Sequence, residues 1–279
     1  MKKLVFTLAT CCIMCACEQK TETNPFFTEF RTEYGAPDFD KIKIEHYEPA
    51  FLKGIEEQNA EIKAIVESRE TPGFENTIVA LDNSGRTLAR VKGVFYALTE
   101  ADTNDEMSAL SEKIAPVLSE HNDNIYLNQD LYKRVAAVWQ QEQEGKITLT
   151  TEQHRLLDRY YKAFIRSGAG LDAGKQNRLR EINKELSTLA ITFSNHILNE
   201  NNAYRLVIDN EAELAGLPEW VKTGAAEEAK AVGKEGKWLF TLQNSSRLPL
   251  LQYADNRELR KDIYEAYINR GNNGDANDN

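Results

Sequence analysis

Apolar residues recur at helical spacing along most of the chain, and short alternating or continuous apolar runs come only near its end. Phe51, Ile55, Ile62, Ile65 and Val66 fall on one stripe and predict an amphipathic helix over roughly 48–68. Thr71-Pro72 then reads as a cap followed by a first-turn proline. Phe74, Ile78, Leu81, Leu88, Val91, Phe95 and Leu98 are nearly heptad in spacing and predict one long helix, with Gly85 as a small position where another helix can come close. Asn104 caps a helix carrying Met107, Leu110, Ile114, Val117 and Leu118, which Pro116 kinks or shortens. Leu131, Val135, Val138 and Trp139 mark a shorter helix closed by Gly145. Thr150 or Thr151 opens the next, through Leu156, Leu157, Tyr160, Tyr161 and Phe164, and Gly168-Ala169-Gly170 stops it. The longest pattern, about twenty-five residues, carries Leu179, Ile182, Leu186, Leu189, Phe193 and Ile197.

The period changes only after that. Tyr204-Arg205-Leu206-Val207-Ile208 and Lys237-Trp238-Leu239-Phe240-Thr241-Leu242 are β-branched and aromatic, and predict two strands flanking a helix near 218–232. A last helix spans about 256–269 through Leu259, Ile263 and Tyr267. The expected fold class is therefore mainly α: long antiparallel helices with a small two-stranded β element near residues 204–242. No fixed-period repeat is present.

The first residues follow another rule. Lys2 and Lys3 precede an apolar run from Leu4 to Ala16, too short to span a bilayer and built like a secretory signal, so residues 1–16 are assigned to a signal peptide. Ile13-Met14-Cys15-Ala16-Cys17 resembles a bacterial lipobox, which makes Cys17 the expected lipidation site and 17–24 a polar, lipidated tether. Residues 25–279 are then the helical domain, lipid-anchored to a membrane of the bacterial cell envelope on the periplasmic side. Cys11, Cys12, Cys15 and Cys17 are the only cysteines, so that domain has no disulfide partner and no thiolate metal site. A net charge of −10 with no basic block after Lys3 lacks the footprint of a nucleic-acid binder.

Candidate chemistry is sparse. The histidines, His46, His121, His154 and His196, never stand four apart, so no H-E-x-x-H zinc motif exists and no catalytic, cofactor-binding or metal residue is assigned. Gly168, Gly170 and Gly174 follow a helix where a phosphate loop needs a strand, and read as a helix C-cap. Asp275, Asn277 and Asn279 echo the alternating start of a calcium loop without its glycine and glutamate, which alone decides nothing.

Several blocks together resemble the N-terminal half of the thimet oligopeptidase family of zinc metallopeptidases, in its oligopeptidase A and peptidyl-dipeptidase Dcp branch. They are Asn24-Pro25-Phe26, Phe39-Asp40-Lys41-Ile42 with His46-Tyr47-Glu48-Pro49-Ala50-Phe51, Phe74-Glu75-Asn76-Thr77-Ile78, Gly168-Ala169-Gly170-Leu171, Leu214-Ala215-Gly216-Leu217-Pro218 and Asn256-Arg257-Glu258-Leu259-Arg260. Departures are Gly73 before Phe74, and Asn244-Ser245 in what is expected to be a loop after the second strand. The resemblance implies a helical wall of a channel that admits short peptides to a zinc held in the other half. Zinc is thus the cofactor of the full-length family enzyme and none is expected on this chain, which would be incomplete at its C-terminus and inactive alone. The competing expectation is a non-catalytic helical surface lipoprotein that binds a glycan or a partner protein.

The lipobox reading gives a direct test. Metabolic labelling with a fatty-acid analogue should mark the chain, and Cys17→Ala should lose the label and release the protein to the soluble fraction, since each buried CH₂ contributes about 0.8 kcal/mol to membrane binding. Label persisting in Cys17→Ala would refute the assignment.

Overall fold

The computed structural model describes residues 24–279. The signal, lipidation and tether assignments lie outside the described residues, save Asn24, whose side chain accepts from the Phe26 N–H and donates to the His46 carbonyl. Among the described residues no helix is long and apolar enough to cross a membrane.

The fold is mainly α, as the periodicity predicts. Helix α1 (Ile44–Glu67) is followed by a π turn (Phe74–Val79) that runs into the short α2 (Ala80–Asp82), then α3 (Arg86–Ala101), α4 (Asp105–Tyr126) and α5 (Gln129–Gln143). Next come α6 (Thr151–Arg166), α7 (Ala173–Ala203), β1 (Leu206–Ile208), α8 (Glu219–Ala231), β2 (Trp238–Phe240), α9 (Asn244–Tyr253) and α10 (Arg257–Ile268). The strands pair antiparallel, with Val207 opposite Leu239. Two side-chain caps fall where the sequence places them, Asn104 on Met107 and Thr150 on Gln153, and Asn256 caps α10 on Glu258.

Three apolar cores form. In the first, α1, α3 and α4 enclose Phe26, Tyr47, Phe51, Val91, Phe95 and Ile114, with Phe51 and Phe95 edge to face at 5.3 Å. The second joins the end of α1 and the π turn to α5 and α6 through Ile65, Ile78, Leu131, Val135, Leu157 and Phe164. The third packs both strands against α8, α9 and α10 through Leu214, Phe240, Leu250 and Ile263. Helix α7 belongs to none of them. Its expected core stripe is turned outward instead: Leu186, Leu189 and Phe193 are each more than half exposed, and Ile182 is exposed as well.

Further expectations are corrected. The stripe from Phe74 to Leu98 is not one helix. It breaks at Asn83-Ser84-Gly85, where the Asn83 and Ser84 side chains donate to the Val79 and Leu81 carbonyls and Gly85 adopts φ 71°. Thr71-Pro72 does not open the helix, which starts at Phe74. Asn76 accepts from the Gly73 N–H at 2.8 Å and donates to the Thr71 carbonyl, while buried Arg134 donates to the Ser68 carbonyl at 3.1 Å and reaches Asn76. Asn244-Ser245, expected in a loop, opens α9. Pro116 sits inside an unbroken α4.

Gly85 is where α1 meets the break. Its N–H donates to a Glu61 carboxylate oxygen at 2.7 Å, and a Cβ there would stand 2.4 Å from the Gln58 side chain. Gly85→Ala should therefore cost more than the roughly 1–2 kcal/mol of a left-handed non-glycine residue, read by urea unfolding, whereas Gly93→Ala, which meets nothing within 4 Å, should be neutral or stabilising.

Candidate functional site

The C-terminal half of α4 separates two recesses. On one side His121 follows Ile114 and Leu118 on the helix's inner face, so a polar ring takes a position the apolar stripe would give to a leucine. Its partner is Gln58 of α1. Ser84 Oγ donates to the Leu81 carbonyl and so accepts from Gln58 Nε2 at 3.1 Å, which turns Gln58 Oε1 toward His121 Nε2 at 2.7 Å. The ring therefore carries its proton on Nε2, and Nδ1 is a buried lone pair without a hydrogen-bond partner. Burial, and then the Lys92 charge, hold the imidazole below its ordinary pKa. A recess of about 190 Å³ lies beside it, bordered by Lys92, Tyr126 and Tyr160.

On the other side, α4, the end of α6 and α7 border an open cleft of about 520 Å³ lined by Ser119, Asn122, Asp123, Arg166, Asn183 and Leu186, among others. Asp123 is buried and accepts from Asn183 Nδ2 at 2.8 Å. Burial pushes its carboxyl up, against the Asn183 bond and the Arg180 charge. The cleft offers amide, hydroxyl, carboxyl and guanidinium groups beside the exposed leucines of α7. That combination suits an extended peptide, whose backbone needs donors and acceptors and whose side chains need apolar area.

The histidines do not converge. His46 accepts from the Lys43 N–H at the start of α1, His154 pairs with Glu142 at 2.7 Å, and His196 meets Asn279 at 2.9 Å. With His121 sealed against Gln58, these residues do not fit a catalytic zinc, which takes three converging protein ligands and a water. The sequence-assigned site residue, Cys17, lies outside the described residues. Neither the His121 network nor the Asp123–Asn183 pair was assigned from the sequence; a histidine in phase with Ile114, Leu118 and Ile125 was the available signal for the first.

No family model matches the chain. Individual proteins do. Dipeptidyl carboxypeptidase of Escherichia coli is 39% identical over 258 residues, which cover 92% of this chain and 38% of that protein. The chain is homologous to peptidases of the thimet oligopeptidase family. Oligopeptidase A of Salmonella typhimurium is 32% identical over 255 residues, 91% of this chain and 36% of its own length. Saccharolysin of Saccharomyces cerevisiae is 25% identical over 203 residues, 72% of this chain and 28% of its own. The chain thus spans less than two fifths of the peptidases it matches. The Phe74-Glu75-Asn76-Thr77 block that carried the resemblance holds the entry to the π turn, so its role in this homologue is structural.

The lowered pKa of His121 fixes a sign. As pH falls, the unfolded chain takes up the proton near the ordinary histidine value while the folded ring still refuses it, so stability is full above that value and is lost below it. Unfolding free energy should fall as pH drops through the ordinary histidine value of about 6.5 and below it, and His121→Gln should flatten the part of that slope due to this group. An unchanged slope in His121→Gln would show that His121 does not carry it.

Proposed function

We propose that this chain supplies a peptide-facing wall of a zinc-dependent oligopeptidase or peptidyl-dipeptidase. The catalytic zinc would be held by a segment outside these 279 residues, and lipid on Cys17 would anchor the protein at the periplasmic side of a bacterial membrane. The observation that carries the reading is the 39% identity to a dipeptidyl carboxypeptidase across nearly the whole chain, in the absence of any H-E-x-x-H motif within it. The α4–α7 cleft supports it, since it sets hydrogen-bonding groups beside an exposed apolar stripe. Its contribution would be orientation and selection of short unstructured peptides, by backbone hydrogen bonds and apolar contact, and no bond-making step is assigned to its residues.

The test uses the chain alone and the chain joined to the remaining part of the Escherichia coli dipeptidyl carboxypeptidase. Alone it should retain no stoichiometric zinc after dialysis and hydrolyse no peptide. Joined, it should give chelator-sensitive hydrolysis of short peptides, and Leu186→Glu, where the α7 stripe borders the cleft, should raise KM by about tenfold with kcat little changed, as expected for loss of one apolar contact. One tightly bound zinc with hydrolysis by the chain alone would overturn the division of labour. Unaltered kinetics in Leu186→Glu would overturn the assignment of the cleft.

A further inference from the structure

Residues 271–279 fold back on the last turns of α7. Gly271 and Gly274 take φ 71° and 76°, and a Cβ at Gly271 would stand 2.5 Å from the Asn279 side chain. His196 meets Asn279 at 2.9 Å, Asn199 donates to Asn277 Oδ1 at 3.2 Å, and the Gly271 N–H donates to Glu200 Oε2 at 2.8 Å. These contacts bring a carboxylate oxygen from each of Glu200, Asp275 and Asp278 within 4.8 Å of the other two.

The Glu200 side chain distinguishes this cluster from surface acids that meet by accident. Glu200 is only 8% exposed, and its second oxygen, Oε1, is buried with no hydrogen-bond partner. Burying a carboxylate oxygen without a donor or a cation is costly. The neighbouring arginines do not serve it: Arg205 donates to the Tyr204 carbonyl at 2.7 Å, and the Arg270 guanidinium stacks on the Tyr267 ring at 3.7 Å and donates to Asn201 at 2.9 Å. The N–H groups of Asn273 and Gly274 donate to the Asp278 carboxylate and hold it in place.

We propose that Glu200, Asp275 and Asp278 form a calcium site. The donors are all oxygens, which selects a hard cation over zinc. Two ligands of one calcium at about 2.4 Å stand at most about 4.8 Å apart, and these oxygens all lie within that distance of one another. Asp275 and Asp278 come from the segment after α10, and the buried glutamate arrives from α7. The ion would tie the segment after α10, and with it the third core, to the end of α7.

Calorimetry on the full chain, stripped with chelator and titrated with calcium chloride, should show one equivalent bound with a Kd of roughly 10⁻⁴ to 10⁻³ M or tighter. The melting temperature should rise with calcium and not with the same concentration of magnesium. Asp275→Asn, at an exposed position, should weaken binding at least about tenfold without changing the circular dichroism spectrum, and Glu200→Gln should do the same where it folds. No saturable heat up to about 10 mM calcium, or an undiminished response in Asp275→Asn, would overturn the proposal.

Discussion

Helix α1 comes down onto α3 and the turn before it at a distance that leaves no room for a β-carbon. A Cβ at Gly54 would lie 2.8 Å from the Leu88 backbone, and one at Gly85 would run into Gln58. Gly54, Gln58 and Glu61 share one face of α1 at helical spacing, so the same face that permits the approach also presents an amide and a carboxylate to the Ser84-Gly85 turn. The first core depends on that approach, because Phe51 and Phe95 meet across it. The placement of α4 depends on it too. Gln58, oriented by Ser84, is the group that receives His121, and α4 is the surface on which α7 lies.

The α4–α7 seam is of a different kind from the seams inside the cores. Asp123 with Asn183, Asn124 with Arg180, and Glu112 with Asn195 are paired along it. Each such bond contributes on the order of 1 kcal/mol net, against roughly 1.5–3 kcal/mol for a buried leucine or phenylalanine. A helix of 31 residues whose only buried side chain is Glu200 is therefore positioned by directional bonds more than by apolar burial. The apolar stripe that would ordinarily fix it remains available to a ligand or to another segment of protein.

The parts legible in the sequence are those decided within a few residues. Asn104, Thr150 and Asn256 cap because their side-chain oxygens reach N–H groups two or three positions on, and the switch to β1 and β2 follows from Val207, Ile208, Leu239 and Phe240. The break at Asn83-Ser84-Gly85 was hidden because Leu81 and Leu88 stay seven apart across it, and a period cannot register a turn that preserves phase. Helix α9 was hidden for the opposite reason: Pro249 lies inside it, and its short apolar run, Leu248-Pro249-Leu250-Leu251, has no clear helical period. The stripe on α7 was legible as a stripe, but periodicity names a face and never what covers it. The polar groupings were illegible because they are long-range: Gln58 and His121 are 63 residues apart, and Glu200 and Gly271 are 71.

That last separation bears on how the third core is attached. Its strands and helices bury their own apolar residues, from Ile208 to Ile263, without drawing on α7. The connection back to α7 runs through Glu200, Asn201 and the backbone at Gly271, where Arg270 and the following turns are held by hydrogen bonds. Directional bonds between separate cores fix an angle at little cost in exposed apolar area, but they yield when a single group is neutralised or displaced. Apolar burial sets the shape of each core, and polar and ionic contacts set how α7 stands against them. The orientation of the α7 stripe is thus governed by hydrogen-bonded polar side chains, Asp123 and Glu200 among them, more than by apolar burial.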